Sequence, residues 1–442
     1  MQKSPIIIIG NGISGVTAAR EIRKRSDQRI VLISEEGPYM ISRPALMYVY
    51  MGHMQAHQIE PYERSFWTKN RIELLHASVQ SIDPRNQQIR LADGRDLQYD
   101  KLILATGSRS KALGLPHETA RGIVNLYHWQ DLEQLESLTH PFGTSPKDYK
   151  VHQAVIIGGG LIGVELAEML HTRGIQVTMI IRDTHFWGSQ IDTMEAALIQ
   201  RQLDAHHIRT IYSSAVQEII ITDDRVSAVR LSSEEIVDCQ LVGITIGVEP
   251  NTTLASHAGI ECGKGIRVDA TLCTSDPHIY AIGDCAQLRH PSPHRKSIEA
   301  VWYTGKMMGE TVARSIAAEP TIYDPGLWFN SAKFFHLEYQ TYGHVAPLSN
   351  ENERHFFWMN SKGDQAIKIA FHPASGQVLG INSWGIRIRQ ERAHTALSNH
   401  WSVDEVIQQL PSFFFDAEFT PSIHHSIVAE YVAHPDLNPN QL

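Results

Sequence analysis

Cysteine is scarce: four stand in 442 residues, and none precedes Cys239. So few cannot staple a disulfide scaffold. None forms a CxxC, so structural zinc has no ligand set. A basic run is missing as well. Lys+Arg is 39 and Asp+Glu is 48, a formal net charge of -9. An acidic chain with no basic run offers little to nucleic acid or an anionic membrane surface. Long apolar runs are absent too. The isoleucines Ile6–Ile9 fall far short of the roughly 20 residues that span a bilayer. With Met1–Pro5 before them and a glycine turn after, they lack the length and cleavage site of a signal peptide. A hydrophobic content of 42% is ordinary for globular proteins and excludes a disordered chain. The expectation is a soluble, cytoplasmic protein of two or three domains, with no nucleic-acid partner and no transmembrane segment.

What is present begins with a strand-to-helix transition. Ile6–Ile9 reads as a strand buried on both faces. It runs into Gly10-Asn11-Gly12-Ile13-Ser14-Gly15, then into the helix formers of Val16–Arg25, then into the apolar run Ile30–Ser34. This is a βαβ unit, which demands a parallel sheet. The pattern returns at Ala154–Ile157, Gly158-Gly159-Gly160-Leu161-Ile162-Gly163, the helical Val164–Arg173 and the strand Gln176–Ile181. In each loop the first glycine turns the chain, the second admits a pyrophosphate, and the third lets helix and strand pack. The helix N-terminus adds partial positive charge. Glu35 and Glu36 end the second strand of the first unit, where a carboxylate binds a ribose diol. The second unit has no acidic residue there: Ile181 or Arg182 occupies the position and Asp183 follows. An arginine pairs with a 2′-phosphate, so this site leans towards NADPH and leaves NADH open.

Between the two units, Gln87–Leu97 and Lys101–Leu104 read as strands, with Asp93-Gly94 as a turn. Thr139–Asp148, with Pro141, Gly143 and Pro146, reads as a linker. Beyond Asp324-Pro325-Gly326 the composition shifts, and the last 117 residues hold nearly half of the aromatics. There Lys333–Tyr342, Arg354–Trp358, Ala366–Phe371 and Val378–Ser383 read as strands, Arg387–Gln409 and Pro421–Tyr431 as helices. That pattern predicts a separate α+β domain with an antiparallel sheet.

Two further segments carry a family resemblance. Tyr99-Asp100-Lys101-Leu102-Ile103-Leu104-Ala105-Thr106-Gly107-Ser108 resembles the ATG segment of two-dinucleotide flavoproteins. Thr274–Asp284, ending Ile282-Gly283-Asp284, resembles their second FAD-binding segment. With the two glycine loops in order, the chain resembles the FAD/NAD(P)-dependent pyridine nucleotide–disulfide oxidoreductases over about residues 4–320. Its nearest branch is similar to the rubredoxin, ferredoxin and nitrite-reductase-type flavoprotein reductases.

The resemblance implies site residues. FAD would lie on Gly10, Gly12, Ile13, Ser14, Gly15 and Glu35, on Arg43-Pro44 after the second strand, on Val79 beside the adenine, and on Ala105, Thr106 and Gly107. Asp284 would take the ribityl chain, and Trp302 would pack at the flavin edge. NADH or NADPH would lie on Gly158, Gly160, Leu161, Ile162, Gly163 and Arg182, and Gly247 is a further cofactor contact. Glu165, in the first turn after the second loop, would stand near nicotinamide and flavin as the catalytic residue. The implied architecture is α/β: two Rossmann-like, three-layer dinucleotide-binding domains plus a C-terminal α+β domain. FAD takes residues 1–112 and 248–325, NAD(P)H takes 113–247, and 326–442 form the interface or partner domain.

The departures sharpen the reading. Disulfide reductases of this superfamily carry CxxxxC after the second strand, and peroxidase types carry one cysteine there; this chain has neither. Cys285 is expected as a buried, inert thiol beneath the FAD, because thiolate chemistry needs an exposed cysteine of low pKa. Tyr48 stands where iron–sulfur-protein reductases often place a lysine. His53 and His57, and the adjacent His424-His425, complete no metal set. The aromatic tail reads as core, or else as a docking surface or dimer interface. The implied function is hydride transfer from NAD(P)H to flavin and onward reduction of a ferredoxin- or rubredoxin-like iron–sulfur protein, as a free enzyme or as part of an electron-transfer assembly. Alternatives are an NAD(P)H oxidase or quinone-type reductase, and a nucleotide-gated interaction protein.

Overall fold

A computed structural model describes residues 3–139, 151–317, 319, 321–415 and 423–434. The expected linker 139–148 and the start of the helix expected from Pro421 lie largely outside the described residues. The chain divides into two compact units. Unit one holds residues 1–113, 124–150 and 246–325; unit two holds 114–123, 151–245 and 326–442. This grouping differs from the boundaries read in the sequence. Residues 124–150 belong with the first glycine loop, and the C-terminal residues cluster with the second.

Unit one is built on a five-stranded sheet in the order Ile279–Ala281, Lys101–Leu104, Ile6–Ile9, Ile30–Ser34, Ile72–His76. All pairings are parallel. The central strands are buried on both faces, hence their unbroken apolar runs. The helix Ile13–Arg23 packs on Trp302–Ile316 through small residues. A Cβ at Gly309 would stand 2.6 Å from the Ser14 carbonyl oxygen. The Gln87–Leu97 reading resolves into Gln88–Leu91 and Asp96–Gln98, antiparallel across the predicted Asp93-Gly94 turn.

Unit two holds a second parallel sheet, with Arg209–Ile211, Gln176–Ile180, Gln153–Ile157 and Leu241–Ile244 as neighbours in that order. Its C-terminal part is a five-stranded antiparallel sheet in the order Phe329–Phe334, Leu337–Gly343, Val378–Trp384, Ala366–Phe371, Arg354–Met359. The single strand expected over Lys333–Tyr342 is a hairpin. Phe335, at φ 53°, makes the turn with His336 while staying buried, so no glycine, proline, asparagine or aspartate announced it. The helix expected over Arg387–Gln409 is two, Gln390–Ser398 and Val403–Gln408. The second begins at a capping box formed by Ser402 and Glu405. The last helix covers His424–Ala433.

Candidate functional site

In unit one the C-terminal ends of the parallel strands open into a cleft, the usual ligand position of such sheets. Gly10 sits at φ 110°, and a Cβ there would run into the Ala105 carbonyl. Only glycine lets the loop lie against the ATG segment. Gly12 is the N-cap of the helix Ile13–Arg23, with no side-chain cap, no acidic residue in the first turn and no atom within 4 Å of where its Cβ would be. The first amides of that helix therefore have no side-chain partner and suit a pyrophosphate. Gly15 does not line the cleft; a Cβ there would meet the Gly10 carbonyl, so it serves packing.

The cleft brings together Gly10, Gly12, Ile13, Ser14, Glu35, Arg43, Pro44, Val79, Ala105, Thr106, Gly107, Asp284 and Trp302. The two neighbouring glutamates divide their work. Glu36 is consumed internally: it accepts from Arg43 Nη1 at 3.1 Å and Nη2 at 2.5 Å, and from the Trp129 amide at 2.8 Å. Glu35 is exposed at the cleft, with one oxygen accepting from the Ser78 hydroxyl at 2.8 Å. Thr106 donates its hydroxyl to the Asn251 carbonyl at 2.7 Å, which fastens the ATG segment to the later part of the unit.

Tyr127 is a cleft residue that the sequence did not announce. Its hydroxyl accepts the Ser108 amide at 3.0 Å and donates to Asp284 at 3.4 Å. The Ser108 hydroxyl also donates to Asp284, at 3.3 Å. The Arg43 guanidinium lies 4.7 Å over the Tyr127 ring and donates to its carbonyl at 2.8 Å. Burial, with the Asp284 charge, pushes the Tyr127 phenol up to about 12, so it stays a donor at working pH. Burial also raises the Asp284 carboxyl, opposed by Ser108, Arg43 and Tyr127. Asn11, which donates to the Gly37 carbonyl at 2.9 Å, and His128 also line the cleft. Amide donors, a carboxylate at a diol position and a recessed acceptor at Asp284 together fit a dinucleotide.

Unit two repeats the loop. Gly158 sits at φ 128°, and a Cβ there would meet the Thr245 carbonyl. Gly160 is the open N-cap of the helix Leu161–Thr172, whose first turn carries Leu161, Ile162 and Gly163. Glu165 is the fifth residue of that helix, one turn deeper than the expected first turn. Burial, reinforced by the carboxylate of Glu168, pushes its carboxyl up to about 7. Arg182 is exposed just past the strand Gln176–Ile180. Gly247, at φ 101°, belongs to unit one, where its carbonyl accepts from the Lys111 amide at 3.1 Å.

Residues 4–309 match the family model described as pyridine nucleotide–disulphide oxidoreductase. The chain belongs to that family. Its members are FAD-dependent NAD(P)H oxidoreductases. The chain is 30% identical over 292 residues to a nitrite reductase [NAD(P)H] of Bacillus subtilis, covering 65% of this chain and 35% of that protein. It therefore spans about a third of that relative's length. It is 30% identical over 343 residues to the ferredoxin reductase subunit of a 5,5'-dehydrodivanillate O-demethylase of Sphingobium, covering 76% of this chain and 81% of that one. Among solved structures it resembles a ferredoxin reductase from Rhodopseudomonas palustris, with a TM-score of 0.77, 25% identity, and 87% and 91% of the two chains covered.

The family name refers to disulfides, but all four cysteines of this member are unpaired and none lines the cleft. Cys285 is fully buried and donates to the Leu104 and Ile282 carbonyls at 3.4 and 3.3 Å. Burial raises its pKa, and pushes that of Cys239 up to about 12. Among the described residues no cluster could hold a metal ion, the histidine pairs included. No described helix is long and apolar enough to cross a membrane.

Proposed function

We propose that this chain takes hydride from NAD(P)H on unit two and passes the electrons, through FAD on unit one, to a small ferredoxin- or rubredoxin-like iron–sulfur protein. Bound FAD supplies acceptance of two electrons as hydride and their release one at a time. The residues supply position and charge. The helix amides after Gly12 hold the pyrophosphate, Glu35 holds the adenosine diol with Val79 beside the base, and Asp284 accepts from the ribityl hydroxyls. Ser108 and Tyr127 fix the Asp284 carboxylate, and Arg43 clamps Tyr127. Trp302 and Pro44 add apolar lining to the cleft. Glu165 stands near the nicotinamide, where a carboxyl poised near neutrality can hold or release a proton.

The observation that carries this reading is the Asp284–Tyr127–Ser108 cleft together with four cysteines of which none lines it. With no thiol at the cleft, electrons go directly to the acceptor. The reductase relatives support an iron–sulfur acceptor.

Anaerobic bleaching of the flavin by NADH and by NADPH tests the first half. Rapid bleaching is expected, and its absence with both sinks the reading. Re-oxidation of the reduced protein by a ferredoxin or rubredoxin, faster than by oxygen or a quinone, tests the second half. Faster re-oxidation by the small acceptors would instead make it an oxidase or quinone reductase. We further propose a homodimer through the C-terminal part, supported by the exposed Leu348 and Val432 there; light scattering decides it. The unpaired thiols suit a cytoplasmic, reducing setting.

A further inference from the structure

The ionisable side chains that line the cleft of unit one are Glu35, Glu36, Arg43, Tyr127, His128 and Asp284. Three are carboxylates, and one is a fixed cation. That cation is already engaged: Arg43 donates to both oxygens of Glu36 and to the Tyr127 carbonyl. A diphosphate would bring further negative charge into this cleft. Of the residues lining it, His128 is the one other group that can become positive near neutral pH.

The backbone fixes where His128 stands. The Tyr127 and His128 amides both donate to Asp131 Oδ2 at 2.8 Å, at the start of the helix Trp129–Thr139. On one side of His128, the Tyr127 hydroxyl reaches Asp284, the ribityl acceptor, at 3.4 Å. On the other side, the Trp129 amide reaches Glu36, next to the diol carboxylate Glu35, at 2.8 Å. The diphosphate is the part of FAD that joins the ribityl chain to the adenosine, so it passes between those two ends. The imidazole meets the Tyr127 ring edge-on at 4.7 Å and is 40% exposed. Its Nδ1 lies 3.9 Å from Asp131, and its Nε2 has no partner among the described residues.

We propose that His128 binds the FAD diphosphate through Nε2 and takes up a proton as the cofactor docks. The inference rests on assigning FAD to unit one. Without the cofactor, burial and the Arg43 charge hold the imidazole below its usual value, against the pull of Glu36, Asp131 and Glu35. It is therefore largely neutral at pH 7. A diphosphate beside Nε2 favours the imidazolium. FAD affinity then rises as pH falls. Asp284 acts in the opposite sense. Burial raises its carboxyl, which must be ionised to accept from the ribityl hydroxyls. That effect is common to parent and variants, so the difference between them reads His128.

The test is calorimetric titration of the deflavinated full chain with FAD at pH 6 and pH 8. If the diphosphate raises the imidazole by about one unit, the His128 contribution tightens binding about three- to fivefold at the lower pH. Repeating the titration at pH 6.5 in two buffers of different ionisation enthalpy should show about half a proton taken up per FAD. His128→Gln should lose both the pH dependence and the proton. His128→Arg should lose them too, while binding at pH 8 at least as tightly as the parent, because its charge is permanent. A merely structural role would not give that rescue. The parent's pH dependence and proton uptake retained in either variant overturns the proposal. No FAD binding by the parent at any pH overturns both the proposal and the flavin reading of the cleft. FAD binding with the His128 signature, but no bleaching by NADH or NADPH, upholds the proposal and removes the reductase.

Discussion

At the scale of single residues, Glu165 carries the clearest pH signature. Its carboxyl, raised to about 7 by burial with help from Glu168, is protonated below neutrality and ionised above it. The rate of flavin reduction should therefore change with an apparent pKa near 7, and Glu165→Gln should flatten that profile while retaining FAD. Stopped-flow reduction between pH 5.5 and 8.5 checks this, and an unchanged profile in the variant removes Glu165 from the role. The stability sign follows from the same shift. The unfolded carboxyl ionises near 4.5, so the folded state binds the extra proton, and stability falls as pH rises from there through about 7. Glutamine carries no proton to lose, so the variant's stability should not fall over that range.

The residues legible in the sequence are those whose role is a backbone role. Gly10 and Gly158 are read from spacing because only glycine fits against Ala105 and Thr245. Tyr127 was not legible. Its partners Arg43 and Asp284 lie 84 and 157 positions away, and nothing in Leu126-Tyr127-His128 marks a cofactor. Glu35 was chosen over Glu36 on the resemblance, but the physical reason was hidden, since only the fold brings Arg43 and Trp129 to Glu36.

At the scale of elements, the helix pair Ile13–Arg23 and Trp302–Ile316 helps to line the cleft of unit one. The first presents its N-terminus, and the second begins at Trp302. They approach closely at Gly309, where a Cβ would stand 2.6 Å from the Ser14 carbonyl and 2.9 Å from the Thr17 Cβ. Gly309→Ala should force them apart and cost about 1–3 kcal/mol. It should show as a lower urea midpoint and faster FAD release, and an unchanged midpoint would contradict the close packing. The strand and helix types of the βαβ units were readable because their apolar runs and glycine punctuation agree. The Phe334–Leu337 hairpin was not, because Phe335 is buried in the turn itself and the apolar pattern runs straight through.

At the scale of the whole molecule, the C-terminal sheet belongs to the same compact unit as the second glycine loop. A buried ionic cluster links them. Lys368, on the strand Ala366–Phe371, is fully buried and donates to Asp192 at 3.0 Å and Glu195 at 3.1 Å, at the start of the helix Thr193–Ala205. Glu195 also accepts from Asn382 at 2.8 Å and from the Trp384 indole at 2.9 Å. Lys368→Met would strand two buried carboxylates and should cost about 3–5 kcal/mol. Urea unfolding followed by tryptophan fluorescence should report that loss. A variant as stable as the parent would show that the cluster contributes nothing.

The sequence by itself determined the two glycine loops, the buried parallel strands, the antiparallel tail and the absence of a cysteine pair. Each is a local pattern written in consecutive residues. Only the tertiary structure decided that Tyr127 joins the cleft and that Glu36 is taken up by Arg43 and Trp129 while Glu35 stays exposed. Those outcomes depend on which distant segments the sheets bring together, and no spacing along the chain encodes that.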